Sequence, residues 1–187
     1  MKRTRNRWTV LVLLGALATP TMFSTTATGT PNYTAAIHAA QASELLQEVR
    51  SLAAKVSHNT DRLAVSMGSN QLHWMSHTSY LNQAKDGINE IGERLETLKE
   101  LRHSVHPWQQ QAIDRIHAAS LSAARHTDSA LRYLNDNQQW LAAPSYKRDV
   151  SAIQAHADNV RDIANDFLDY AKTKNRLGAL QGRLMFE

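Results

Sequence analysis

The sequence predicts an all-α protein, an antiparallel up-down-up-down four-helix bundle preceded by a signal peptide. Three observations carry this. Apolar residues recur at three-four spacing from about residue 31 to 173, stretches rich in turn and breaker residues fall at three regularly spaced places in that span, and Ala and Leu dominate the apolar share while Gly and Pro number seven and four.

The first residues form a basic stretch, Lys2 to Arg7, then an apolar run from Val10 to Ala18, then a polar, small-residue stretch to Thr30. That order is the order of a secretory signal peptide. Ala16 and Ala18 offer one small-x-small cleavage site, and Thr25 with Ala27, beyond the helix-breaking Pro20, offers the preferred one, so residues 1–27 are expected to be removed. An uncleaved anchor holding a sensor-like bundle is the alternative, but the apolar run falls well short of the ~20 residues that span a bilayer. No Cys follows the run for lipidation and no Arg pair of the twin-arginine type is present. The expected destination is the periplasm or the outside, with the membrane touched only through the export signal.

Four periodic segments follow, at about 31–65, 70–104, 107–140 and 144–173. Ser66 to Asn70, Ser104 to Pro107 and Ala142 to Ser145 separate them. Ser69 or Asn70 suits a helix cap, and Pro107 and Pro144 suit a first turn, where the missing N–H has no partner to lose. The first stripe reads Leu45, Val49, Leu52, Val56 and Leu63. The second reads Trp74, His77, Leu81, Ala84, Ile88, Ile91, Leu95 and Leu98. The third is Ile113, Ile116, Ser120, Ala123, Thr127, Ala130 and Leu134, and the fourth is Tyr146, Val150, Ile153, Ala157, Val160, Ala164, Phe167 and Ala171. One stripe per helix points to one shared core, and short connections force neighbouring helices to run antiparallel. Glu90 with Arg94 and Asp128 with Arg132 stand at i, i+4 on the solvated faces. Trp74, Trp108 and Trp140 each stand near a turn and are expected to plug the bundle ends. Residues 174–187, with Gly178 and Gly182, are expected to form a frayed C-terminal extension.

The net charge of +4 does not imply a nucleic-acid partner. Lys2, Arg3, Arg5 and Arg7 account for all of it, so the rest of the chain has no cationic surplus to drive counterion release from phosphates. The absence of cysteine removes thiol nucleophiles, CxxC redox chemistry, iron-sulfur ligation and covalent haem attachment, and leaves stability to packing.

Nine histidines are the compositional feature that asks for chemistry. His73 and His77 stand at i, i+4, a spacing that puts two imidazoles one helical turn apart, and Met75 between them and Met67 before them could add soft ligands. This is the candidate copper or zinc site, and no other cofactor is expected. Because His77 also falls on the core stripe, the competing reading is a buried imidazole satisfied by a facing helix. His103 and His106 could meet His38 and His117 at one end of the bundle. Glu100-x-x-His103 and Asp114-x-x-His117 imitate the di-iron motif, but Glu100 lies about 200° round the helix from the core residue Leu98, so the carboxylates do not point inward. Haem between a Met and a His fails as well, because no Met occurs between Pro31 and Ser66 to pair with His156.

No hydrolase, phosphate-loop or dinucleotide motif occurs, and long helices with short loops offer little concave surface. The sequence therefore predicts an exported, non-catalytic helical bundle, a binding or structural module of the cell envelope with a protein or envelope partner. The competing prediction is a periplasmic copper or zinc protein using His73, His77 and Met75.

Overall fold

A computed structural model describes residues 31–69 and 73–185. The leader, with its cleavage sites at 18 and 27, lies outside the described residues, as does Asn70. The described residues form four long helices and no strand: α1 (Pro31–Ser69), α2 (Trp74–Leu101), α3 (Pro107–Asp136) and α4 (Pro144–Leu184). A single 3₁₀ turn, Arg102–Ser104, leads from α2 towards α3. No described helix is long and apolar enough to cross a membrane.

Each break has a local cause. Pro107 and Pro144 both occupy first-turn positions, preceded by His106 and Ala143 in extended conformation, as a residue before proline must be to avoid its ring. The helix after the first break starts at Trp74 rather than residue 70, with extended His73 as its cap residue. The third helix stops at Asp136, short of the expected 140, because Asn137 leaves helical geometry and its side-chain amide folds back onto the Tyr133 carbonyl.

Contacts between helices fix the arrangement. On α1 and α2, Glu48 meets Arg94 and Arg62 lies over the Tyr80 ring; on α1 and α4, Ser57 meets Asp158 and Asp61 meets Gln154. On α3 and α4, Trp108 stacks on Phe167 and His126 meets Asp149. In every pair one number rises as the other falls, so neighbours run antiparallel, and α4 closes the ring beside α1. Arg94 thus pairs across the α1–α2 seam rather than with Glu90, and Arg132 donates to the Asp128 carbonyl oxygen rather than to its carboxylate.

The stripes meet in a core of two apolar clusters. One holds Leu46, Val49, Ile91, Leu95, Leu98, Ile113, Ile116 and Val160. The other holds Val56, Leu63, Leu81, Leu134, Tyr146 and Ile153. Each fully buried aliphatic side chain contributes on the order of 1.5–3 kcal/mol, the main stabilising term in a chain with no cross-links. The α2 and α4 stripes bury as read, except that Trp74 and Ala171 stay half-buried and Ile163 joins. In α1 Val49, Leu52, Val56 and Leu63 bury as read, but Leu46 rather than Leu45 is fully buried, in line with Ala42, Val49 and Ala53. Where the clusters join, α1 and α2 approach so closely that a Cβ on Gly87 would lie 2.7 Å from Val56 Cγ2.

Two expectations about the ends need correction. Trp140 does not plug the bundle; it is 74% exposed in the α3–α4 connection, where Tyr133 Oη donates to its carbonyl. Residues 174–184 are not frayed but continue α4 as an exposed helix to Leu184. With Gln109 hydrogen-bonded to the Ala39 carbonyl, and Ala171, Lys174 and Asn175 sharing a recess with His106 and Trp108, roughly the first six residues of α1 and the last nine of α4 project past the start of α3, by about 9 and 14 Å.

Candidate functional site

The candidate metal ligands are not gathered. His73 is exposed, Met75 is 59% exposed, and His77 is buried at 1% exposure. The His77 Nδ1 lies 2.9 Å from Tyr146 Oη, the two rings are 5.8 Å apart, and Tyr133 stacks on Tyr146 at 5.4 Å. Burial disfavours the charged form of each partner, lowering the His77 pKa and raising that of Tyr146, so a neutral imidazole shares one hydrogen bond with a neutral phenol. Met67 packs against the same apolar cluster. Among the described residues no group of three or more His, Asp or Glu side chains could hold a metal ion.

The second histidine set does not converge either. His106 sits at the α3 start with its ring stacked 6.2 Å from Trp108, while His103 is exposed on the 3₁₀ turn. His38 is on α1 with its Nδ1 buried and without a hydrogen-bond partner. His117 lines a separate open groove of about 510 Å3 between α2 and α3, with Glu93, Glu96 and the buried Ser120. The Glu-x-x-His imitation resolves into ion pairing: Asp114 takes both Nε and Nη2 of Arg102, at 3.0 and 2.7 Å, which holds its carboxyl below the ordinary range.

One polar cluster escaped the sequence reading. Asp149 on α4 faces His126 Nδ1 at 2.9 Å and accepts a hydrogen bond from Ser129 Oγ at 2.7 Å, and His156 stacks on His126 at 5.7 Å. Burial and the neighbouring His126 lower the His156 pKa. The carboxylate lies between imidazole and hydroxyl, so the hydroxyl is not held against a base as a nucleophile requires. None of these residues lies on a core stripe, so periodicity could not have joined them.

Exposed aromatic and aliphatic side chains concentrate at the pole where α1 begins and α4 ends. Trp108 is half-buried there, stacked on Phe167 at 6.0 Å and edge-on to Tyr170 at 5.3 Å. Gln109, fully buried, holds the α3 start to α1: its Oε1 accepts from the His106 N–H at 3.1 Å and its Nε2 donates to the Ala39 carbonyl at 2.9 Å. Recesses of about 270 and 360 Å3 flank Trp108, one against Ala36, Ala40 and Lys174, the other against Arg115 and Tyr170. The Trp108 Nε1–H is buried without an acceptor. Around and beyond it these helix ends expose Tyr33, Ile37, Tyr170, Leu177, Leu180, Leu184 and Met185. Such an arrangement presents apolar contact area over a rigid aromatic base.

The chain matches no known protein-family model, no curated protein and no solved structure. Its function is argued from its own residues.

Proposed function

We propose that this chain is an exported, non-catalytic helical-bundle protein, a binding or structural module of the cell envelope, and that it meets its partner with the pole formed by the start of α1 and the end of α4. The observation that carries the reading is a distribution. Seven of the eleven large apolar side chains exposed among the described residues gather at this one pole, although α1 and α4 are solvated along most of their outer faces. Monomeric proteins scatter such residues singly; a concentration marks contact with something apolar. Export is supported by the basic, apolar and small-residue order of residues 2–27.

Fractionation of cells expressing the whole chain, with mass spectrometry of its amino terminus, tests the reading. The expected product is exported and starts at residue 28 or 19. A product found only in the cytoplasm with its first 27 residues intact would overturn it. A photo-reactive residue at Leu177 is expected to cross-link to envelope material, whereas one at Ser151, exposed on the bundle body, is not.

A further inference from the structure

The core stripe of α4 does not simply run on into its exposed end. Val160, Ala164 and Phe167 are buried against the bundle, but the positions that continue that face are Ala171, Gly178 and Gly182, and a Cβ on either glycine would meet nothing within 4 Å. A second apolar stripe begins instead. Tyr170, Leu177, Leu180 and Leu184 fall within about 80° of one another on the helix, and their centre lies about 115° round from the bundle-facing stripe, at 100° per residue. They are 50%, 56%, 42% and 74% exposed. A stripe that has left the bundle face cannot serve the bundle core.

The charge around this stripe is equally uneven. Residues 170–185 carry Lys172, Lys174, Arg176 and Arg183 and no carboxylate, whereas residues 31–169 carry thirteen Lys and Arg against sixteen Asp and Glu. Lys174 and Arg176 flank the leucines, about 75° and 85° from the centre of the stripe on its two sides, and Arg183 and Lys172 lie further round beyond Arg176, all four exposed. A second copy of the chain would bring four cations against four, so self-association through this face is disfavoured. An apolar stripe flanked by cations is the pattern that lies in the interface of an anionic bilayer, leucines among the acyl chains and ammonium and guanidinium groups at the phosphates.

We propose that the α4 end, residues 170–185, docks the protein on an anionic membrane surface, inserting Tyr170, Leu177, Leu180 and Leu184 beneath the headgroups while Lys172, Lys174, Arg176 and Arg183 bind lipid phosphates. This rests on the reading of the pole as the envelope-contact site and names the surface contacted. Tyr33 and Ile37 project at the same pole on α1, 74% and 49% exposed, and add apolar contact beside it.

Flotation of the full chain with vesicles of phosphatidylcholine alone, or of phosphatidylcholine with one-third phosphatidylglycerol, tests the proposal. Two variants accompany it: Leu177→Ser/Leu180→Ser/Leu184→Ser, and Lys172→Gln/Lys174→Gln/Arg176→Gln/Arg183→Gln. All seven positions are exposed, so both variants keep the wild-type helical circular dichroism. The wild-type chain is expected to partition to the anionic vesicles and to be released by high salt, and each variant to lose partitioning by on the order of 10²-fold. Because the leader is identical in all three chains, a difference among them reports on α4. Equal partitioning of wild type and both variants, or equal binding to neutral vesicles, would overturn the proposal. So would a wild-type dimer that the leucine variant converts to monomer, or a captured envelope protein that both variants lose while flotation is unchanged. In these last two cases the pole is still a contact surface. A cytoplasmic chain in the fractionation experiment, by contrast, overturns export whatever the vesicles show.

Discussion

His77 Nδ1 and Tyr146 Oη stand 2.9 Å apart inside the bundle, joining the second turn of α2 to the first turn of α4. The folded chain holds this imidazole below its ordinary pKa of 6.5, so just below pH 6.5 the unfolded chain binds more protons than the folded one. Stability present at neutral pH is therefore lost as pH falls from about 6.5. His156, lowered by burial and by His126, acts in the same direction. The urea midpoint is expected to fall between pH 7.5 and 5.5, and to fall less in His77→Gln. A pH-independent midpoint in the wild-type chain would contradict this assignment.

Tyr146→Phe removes the phenol and leaves the His77 Nδ1 buried with no partner. A loss of about 1–3 kcal/mol is expected from equilibrium unfolding at pH 7.5. His77→Ala is expected to cost about 2–4 kcal/mol through the cavity it leaves. Plasma mass spectrometry of that variant and of the wild-type chain, both loaded with copper or zinc and then dialysed, is expected to find the same metal content. Stoichiometric metal lost in His77→Ala would reinstate the His73, Met75 and His77 site.

Gln109 holds the α3 start to the Ala39 carbonyl, at the pole where α1 begins. Gln109→Leu keeps the volume but strips a partner from the His106 N–H and another from the Ala39 carbonyl. The expected cost is again about 1–3 kcal/mol, with faster amide exchange concentrated around residues 39–43 and 106–110. Uniform acceleration across all four helices would show that Gln109 is not a local clasp.

Two glycines of α2 should respond unequally to the same change. Gly92→Ala places a methyl where nothing lies within 4 Å and gains helix propensity, stabilising by up to about 1 kcal/mol. Gly87→Ala gains the same propensity but drives a methyl into Val56, a buried, stiff side chain, and overpacking costs about 1–3 kcal/mol. Thermal unfolding should therefore rank Gly92→Ala above wild type and Gly87→Ala below Gly92→Ala.

The helices were legible because burial imposes a period. From Leu81 to Leu98 every residue of the α2 stripe is buried as its spacing demands, and Ser120 and Thr127 are buried although polar, because position outranks side-chain type on a continuous stripe. Where two apolar residues stand side by side the period cannot choose, so Leu46 rather than Leu45 was settled only by packing. The α4 end misled for a different reason: Gly178 and Gly182 raise the cost of helix but do not forbid it, and Leu177, Leu180 and Leu184 around them share a face. The tie between His126 and Asp149 crosses from one helix to another, where spacing within either helix carries no information. His77 was legible as a core position, but its phenol partner was not, for the same reason.

An even number of antiparallel helices brings Pro31 and Leu184 back to one pole, on adjacent helices. Under mechanical load this matters more than thermal stability does. A force pulling those two ends apart peels α1 from α4 layer by layer, breaking contacts in succession rather than sharing the strain among them. A force between the same pole and the α3–α4 connection at Trp140 shears whole helix faces at once. The bundle should thus yield easily when stretched between its ends and resist when pulled pole to pole, which is the direction in which a surface gripping the α4 end would load it.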